Sequence, residues 1–241
     1  MKKTIFTKSR ILISMSAVTF LLIAGFSTMN TPDEVLKKLK EGNNRFVENN
    51  RTYPNQDEDR LGVTSAKGQF PYATVIACSD SRVPVEHIFD AGFGDIFVIR
   101  VAGNVVDIDE AGSIEYGVHH LHTPVLVVLG HTQCGAVTAV CRGDEVHGNI
   151  PKLVDNIVPA VKKAKHEHSE EECNDKVLET SIENNVWQSI EDLYHISPVT
   201  TELIRKGKLK VVGAIYHLNN GEIQWLGEHP EQKDLLVHKS H

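Results

Sequence analysis

The most informative stretch of the chain is residues 125–135, which read Val-Leu-Val-Val-Leu-Gly-His-Thr-Gln-Cys-Gly. The first five residues are apolar without interruption and rich in Val, which is typical of a strand buried on both faces of a parallel sheet. The polar residues that follow, His131 and Cys134 among them, are then expected at the carboxyl end of that strand. Open α/β sheets bind their ligands at this edge. The stretch therefore predicts a parallel sheet with a functional site at one edge.

Three further apolar runs have the same character and predict the remaining parallel strands, at residues 73–77, 96–101 and 210–216. Helical stretches are predicted between the strands, at residues 110–121, 136–141 and 175–193. Strands that alternate with helices favour right-handed crossovers and an α/β fold with a mostly parallel sheet flanked by helices. Asn219-Asn220-Gly221 is a hairpin signal, so residues 222–226 are predicted to add an antiparallel edge strand.

Two segments precede the first strand. Thr31 followed by Pro32 is typical of a helix start, with Thr31 as the N-cap, and this helix is expected to continue through Phe46. Residues 49–68 are polar and predict a loop. The chain of 241 residues has an ordinary globular composition, and we expect residues 28–241 to form a single domain.

A second polar segment, Cys78-Ser-Asp-Ser-Arg82, follows the predicted strand at 73–77. Because parallel strands end at the same edge of a sheet, Cys78 is expected to meet His131 and Cys134 there. Two thiolates and one imidazole suit Zn²⁺, and three protein ligands leave a fourth position for water, as in catalytic zinc sites. Cys134 is also expected in the first turn of the following helix, where the helix dipole favours a thiolate.

Asp80 and Arg82 lie beside this predicted zinc site. A carboxylate two residues from a zinc ligand can accept a proton from bound water, and an Arg can keep that carboxylate ionised through two hydrogen bonds. The alternative is a solvated surface ion pair, which contributes little to stability. We therefore predict that Asp80 and Arg82 act as a catalytic pair.

Four segments together resemble the motif blocks of the β-class carbonic anhydrases, in family order: Cys78–Val83, Arg100–Asn104, Ser113–Gly117 and Gly130–Gly135. The resemblance covers about residues 32–227 and favours the plant-like branch, in which the zinc keeps an open position. It implies reversible hydration of CO₂ to bicarbonate at one zinc ion per subunit. It also implies a mixed sheet, an N-terminal helical arm that wraps a partner subunit, and a homodimer or larger homo-oligomer with each active site near the dimer interface.

The resemblance also implies roles for single residues. Cys78, His131 and Cys134 take the zinc-ligand positions, and Asp80 with Arg82 takes the catalytic dyad. The substrate pocket is assigned to Gln69, which would hydrogen-bond substrate oxygen, to Phe97 and Tyr116, which would line the CO₂ pocket, and to Ala102 and Gly135. A plain loop position for Gln69, and core packing for Phe97 and Tyr116, remain open alternatives.

The first 27 residues have the order of a secretory signal peptide. Lys2, Lys3, Lys8 and Arg10 precede an apolar stretch from Ile11 to Phe26, which small residues end. An uncleaved membrane anchor is the alternative, although this stretch of 16 residues is shorter than the roughly 20 that span a bilayer. Cleavage would remove four basic residues and no acidic ones, changing the formal net charge from −7 to −11. We expect an exported, periplasmic protein that does not bind nucleic acid.

Other interpretations remain at this stage. A related zinc hydrolase acting on CS₂ or COS would use the same ligands. An exported zinc-binding protein is suggested by His166-Glu-His168 beside an acidic run, although we interpret this stretch as a solvated charged loop or helix end. Nucleotide-binding enzymes are excluded by motif, because Gly92-Phe-Gly94 lacks the third glycine of a dinucleotide loop. Cys141 and Cys173 either pair in an oxidising compartment or, as we favour for Cys141, remain buried core thiols.

Overall fold

The computed structural model describes residues 31–237, and the predicted leader at residues 1–27 lies outside them. The described chain contains one five-stranded sheet in the order β2-β1-β3-β4-β5. The first four strands are parallel, and β5 is antiparallel to β4. The strands are β1 (Ala73–Ala77), β2 (Ile96–Arg100), β3 (Val125–His131), β4 (Lys210–Tyr216) and β5 (Ile223–Gly227). The predicted α/β class and all five predicted strands are confirmed.

Helices cover both faces of this sheet. They are α1 (Pro32–Val47), α2 (Glu58–Lys67), α3 (Val85–Ile88), α4 (Ile108–Glu115), α5 (Gly135–Arg142), α6 (Ile150–Val154), α7 (Val158–His168), α8 (Asp175–Ile196), α9 (Pro198–Arg205) and α10 (Gln232–Val237). Two 3₁₀ turns, Ala102–Asn104 and Asp155–Ile157, and a π-helical turn, Tyr116–His120, complete the described elements. Within residues 31–237, none of the helices has the length and apolar character needed to span a bilayer.

Strand β3 lies at the centre of two apolar layers. Val125, Val127 and Leu129 pack with the core on the side of α1 and α3. Leu126 and Val128 point to the opposite face and pack with the core on the side of α5, α7 and α8. All five side chains are fully buried. Burial on both faces therefore explains the uninterrupted apolar sequence. The same packing fixes the register of each strand against its neighbours.

The N-terminal segment confirms one prediction and corrects another. Thr31 caps α1 in a capping box with Glu34, as the sequence predicted. The predicted loop at residues 49–68 is wrong, because ten of its residues form α2. Asp57 caps this helix by accepting the backbone N–H of Arg60, and none of the ten residues is buried. A helix without a buried face has no apolar periodicity, so its sequence resembles that of a loop.

The predicted helix at residues 110–121 is shorter than expected. Helix α4 ends at Glu115, and the chain continues as the π-helical turn. Gly117 allows this turn to lie against β1, because a Cβ atom there would come within 2.3 Å of Thr74 Oγ1. The turn thereby orients Tyr116 beside Phe97, with 5.7 Å between the ring centroids.

The remaining cysteines form a disulfide, Cys141–Cys173, with the two Cα atoms 5.4 Å apart. The preference for a free core thiol at Cys141 is therefore wrong, although the residue is buried. The bond ties the end of α5 to the segment before α8 across a sequence separation of 32 residues. Closing a loop of this length lowers the entropy of the unfolded chain, which the chain-entropy model values at about 3–4 kcal/mol. The helix that follows Cys134 is therefore anchored at its far end.

Candidate metal centre

Cys78, His131 and Cys134 meet at the carboxyl edge of the sheet. Cys78 directly follows β1, and His131 is the last residue of the neighbouring strand β3. The two Sγ atoms and a ring nitrogen lie within 4.8 Å of one another, and all three residues are buried. Zinc ligands at about 2.0–2.3 Å in a tetrahedron are about 3.4–3.8 Å apart. The predicted convergence is therefore present, and adjustments of about 1 Å or less would close it around an ion.

The imidazole of His131 is oriented for coordination. Its Nδ1 lies 2.9 Å from the carbonyl oxygen of Thr132, so Nδ1 carries the proton and donates it to that oxygen. Its Nε2 is fully buried and has no hydrogen-bond partner among the described residues. A buried polar atom without a partner is costly unless a ligand satisfies it. The free lone pair and the two sulfurs together fit a metal ion.

The two thiols differ in their surroundings. Cys78 Sγ accepts a hydrogen bond from the Gly103 backbone N–H at 3.3 Å. The hydrogen bond from the Cys134 thiol lowers the pKa of Cys78, whereas the Cys78 sulfur and burial raise the pKa of Cys134. A bound dication would favour the thiolate form of both residues, because metal binding displaces thiol protons. Cys134 is the N-cap residue of α5, one position before the helical turn in which it was predicted.

Asp80 and Arg82 form the expected pair at the mouth of this centre. Arg82 Nε donates to Asp80 Oδ1 at 2.9 Å, and Arg82 Nη2 donates to Oδ2 at 2.7 Å. This fork holds the pKa of Asp80 well below its usual range, so the carboxylate remains ionised. Asp80 Oδ2 lies 3.9 Å from His131 Nε2 and therefore faces the space between the three donor atoms.

Arg100 is a site residue to which the sequence analysis gave no role. It ends β2, beside Ala77 of β1. Its Nη2 donates to the carbonyl oxygen of Asp80 at 2.6 Å, and its Nε donates to that of Cys78 at 3.2 Å. Arg100 therefore braces the backbone on which both Cys78 and Asp80 stand. The sequence feature that could have identified Arg100 is its charge at the end of an otherwise apolar strand.

The predicted pocket residues divide into two groups. Ala102 belongs to the 3₁₀ turn that supplies Gly103, and Gly135 is the first residue of α5, beside Cys134. Space in front of Gly135 is open, because a Cβ atom there would meet nothing within 4 Å. These two residues therefore lie next to the metal-binding side chains in sequence and at the same edge of the sheet.

Gln69, Phe97 and Tyr116 are not at this edge. Gln69 is exposed and precedes the start of β1, at the amino edge of the sheet. Phe97 pairs with Thr74, four residues before Cys78, which corresponds to about 13 Å along a strand. Tyr116 packs on Phe97 and remains 45% exposed. One chain alone therefore does not bring these three side chains to its own metal centre.

Comparison with known proteins places the fold and the site in a family. The family model for carbonic anhydrase matches residues 73–223. Carbonic anhydrase 2 of Mycobacterium tuberculosis is 38% identical over 195 residues, covering 79% of this chain and 90% of that protein. The carbonic anhydrase of Mycolicibacterium smegmatis is 36% identical over 200 residues, covering 81% of this chain and 93% of its own.

Solved structures similar to this chain are also carbonic anhydrases. The β-carbonic anhydrase CafA of Aspergillus fumigatus superimposes on this chain with a TM-score of 0.67 at 28% sequence identity. The match covers 85% of this chain and 94% of the CafA chain. A structure described as a tetrameric β-carbonic anhydrase of Sordaria macrospora gives a TM-score of 0.61 at 29% identity, covering 70% of this chain and 87% of its own. The chain belongs to the β-carbonic anhydrase family. It is a carbonic anhydrase, an enzyme of the reversible hydration of CO₂ to bicarbonate.

The geometry predicts that each of the three donor side chains is needed to hold a metal. Cys78→Ser, His131→Ala and Cys134→Ser are each expected to purify without stoichiometric metal, because three ligands leave no redundancy. The test is the metal content per folded chain, measured by inductively coupled plasma mass spectrometry. The matched control is His229→Ala, which removes a buried His that contacts Glu191 away from the site. Near-stoichiometric metal in any of the three variants would contradict the assignment.

Proposed function

We propose that this carbonic anhydrase binds one zinc ion through Cys78, His131 and Cys134 and hydrates CO₂ there. The observation that carries this proposal is the buried Nε2 of His131, which has no hydrogen-bond partner among the described residues and faces two sulfurs. Zinc is favoured by the donor set, because two thiolates and one imidazole with an open fourth position form a known catalytic zinc site. When bound, zinc supplies activation of water at neutral pH for attack on CO₂.

Asp80 acts in this reaction as a fixed hydrogen-bond acceptor. Its pKa lies well below its usual range because Arg82 hydrogen-bonds both oxygens, so Asp80 is ionised throughout the physiological pH range. Its Oδ2 faces the metal-binding atoms, where it can accept a hydrogen bond from the attacking water and orient a lone pair toward CO₂. Arg82 occupies both carboxylate oxygens and so keeps Asp80 from becoming a fourth ligand. This arrangement supports membership of the open-site branch.

The Asp80–Arg82 pair should separate catalysis from metal binding. Arg82→Ala and Asp80→Ala are each expected to retain zinc while CO₂ hydration falls by about 10²–10⁴-fold, a loss of the size seen when a group positioned at the transferred proton is removed. Stopped-flow hydration assays with zinc content measured on the same samples test this. In Arg82→Ala the freed carboxylate is further expected to bind the metal. Wild-type hydration rates in either zinc-loaded variant would show that the pair is only structural.

The substrate pocket is completed by a second copy of the chain. Three predicted pocket residues lie away from the metal centre of their own chain: Phe97 is in the edge strand β2, Tyr116 packs on Phe97, and Gln69 precedes β1. Four apolar side chains in the segments around β1 and β2 are also exposed. They are Leu61 and Val63 in α2, Phe70 before β1, and Ile108 at the start of α4. Helix α2 buries none of its residues within one chain. A homodimer or larger homo-oligomer explains both features, and the relative from S. macrospora is described as tetrameric.

Mixed dimers test whether Gln69 acts on the partner's metal centre. Gln69→Ala and Arg82→Ala chains are expected to be weakly active alone. After the two are unfolded together and refolded, each mixed dimer has one site with both defects and one intact site. Random pairing then restores about one quarter of wild-type activity per chain. Each variant refolded alone is the control. Mixed samples no more active than the controls would show that Gln69 acts within its own chain or not at all.

The protein is exported, and its N-terminal leader is removed. The basic and apolar order of residues 1–27 supports this, as does the disulfide Cys141–Cys173, since such bonds persist in oxidising compartments. Expression of the full gene is expected to give a periplasmic chain that starts near residue 28, which intact-mass measurement tests. A full-length chain held in the membrane would favour the anchor instead.

A further inference from the structure

We propose that Asn185 on α8 is a positioning residue for the metal centre, because it fixes the peptide whose N–H group is bonded to the Cys78 sulfur. This inference rests on the metal site of the proposed function and assigns it a residue far away in the sequence. The side-chain hydrogen bond found for Asn185 within residues 31–237 goes to the backbone of Gly103 and not to a metal-binding atom. Asn185 acts through Gly103.

Two hydrogen bonds connect Asn185, through Gly103, to the sulfur of Cys78. Asn185 Nδ2 donates to the carbonyl oxygen of Gly103 at 2.7 Å. The backbone N–H of the same glycine donates to Cys78 Sγ at 3.3 Å. Asn185 is 1% exposed, and Gly103 is also buried. Gly103 is therefore held at its carbonyl by the helix while its N–H is directed at a metal-binding atom.

Gly103 needs such a restraint from outside. Its backbone has φ = 73°, in the left-handed region, and a Cβ atom there would lie 2.7 Å from Ile157 Cδ1. Glycine is therefore favoured at this position, and glycine has the greatest backbone freedom of all residues. One helical turn after Asn185, the hydroxyl of Ser189 is shared between the carbonyl oxygens of Asn104 at 3.0 Å and Asn185 at 2.8 Å. Asn185 and Ser189 thus hold two successive carbonyl groups of the turn.

The hydrogen bonds of the Asn185 side chain indicate why an Asn stands at this position. Asn185 Oδ1 is buried and has no hydrogen-bond partner among residues 31–237, so half of the amide is unsatisfied. An apolar side chain of similar size would avoid this desolvation cost but would leave the buried Gly103 carbonyl without its donor. The part of the amide that is satisfied is the N–H that binds Gly103. The hydrogen bond to Gly103 is therefore the feature that accounts for the residue.

An N–H group bonded to a thiolate withdraws charge from the sulfur and holds it in place. Groups that hydrogen-bond metal ligands typically change metal affinity or activity by about 10–100-fold when they are removed. Without Asn185 the Gly103 carbonyl is buried and unpaired, and the turn relaxes to satisfy it. The N–H then moves away from Cys78, and the sulfur becomes both more mobile and richer in charge.

The neighbouring residue, Asn184, provides a matched control. It is also a buried Asn on α8, 7% exposed. Its Nδ2 donates to Glu167 Oε2 on α7 at 3.4 Å, so its amide serves helix packing and not the turn. Asn184→Leu and Asn185→Leu therefore make the same chemical change at adjacent positions, and only the second removes the bond to Gly103.

The test uses Co²⁺ as the probe, because its charge-transfer absorption reports directly on the bound sulfurs. Apo-protein is loaded with Co²⁺, and the spectrum and the rate of Co²⁺ release to a chelator are measured at a temperature where circular dichroism shows full folding. Asn185→Leu is expected to release Co²⁺ about 10–100-fold faster than wild type. Its sulfur-to-metal band is expected at longer wavelength, because the sulfur electrons are no longer stabilised by the N–H. Asn184→Leu is expected to keep the wild-type band and rate.

The possible outcomes distinguish a failure of the role given to Asn185 from a failure of the metal site itself. If Asn185→Leu matches Asn184→Leu in both band position and release rate, Asn185 is only structural and the inference is overturned. If wild-type protein binds no Co²⁺, the proposed metal site itself fails. Should Asn185→Leu not fold, Asn185→Ala replaces it, since it also lacks the donor and leaves room for water, and the same two comparisons decide.

Discussion

The parallel pairing of β1 with β3 is the constraint on which the rest of the molecule depends. Ala77 pairs with Leu129, so Cys78 emerges beside the end of β3, where His131 and Cys134 follow. A slip of one residue would move Cys78 about 3.3 Å along the strand and turn it to the other face of the sheet. Either change would separate donor atoms that must lie within about 4 Å of one another. The two apolar layers that bury β3 on both faces therefore set the geometry of the metal centre.

The polar groups at this edge are held from several directions. Arg100 braces the backbone of Cys78 and Asp80 from β2, Arg82 fixes the carboxylate of Asp80, and the carbonyl of Thr132 orients His131. Helix α5 begins directly after Cys134 and is tied at its far end by the disulfide. The fold therefore restrains the metal-binding side chains from several sides, which limits how far they can move.

Much of this was predictable because the signals were local. Uninterrupted apolar runs predicted the strands, and the chemistry that follows two of them predicted the three donor residues and the Asp80–Arg82 pair. Helix α2 was missed because it buries no face, and the pairing of Cys141 with Cys173 required a distance that spacing alone does not contain. The link from Asn185 to Gly103 spans 82 residues and has no local pattern. The pocket roles predicted for Gln69, Phe97 and Tyr116 rest on resemblance alone, and the position of these residues relative to the metal centre depends on the fold.

The central claim is that three side chains hold a zinc ion whose fourth position stays open because Arg82 retains Asp80. A crystal structure of the zinc-loaded protein at neutral pH, with anomalous data at the zinc edge, tests this most directly. The account predicts one zinc peak per chain, with two sulfurs at about 2.3 Å, His131 Nε2 at about 2.0–2.1 Å and a solvent oxygen as fourth ligand. Both oxygens of Asp80 should remain on Arg82. A zinc ion elsewhere, or one ligated by Asp80 in the wild-type protein, would contradict it.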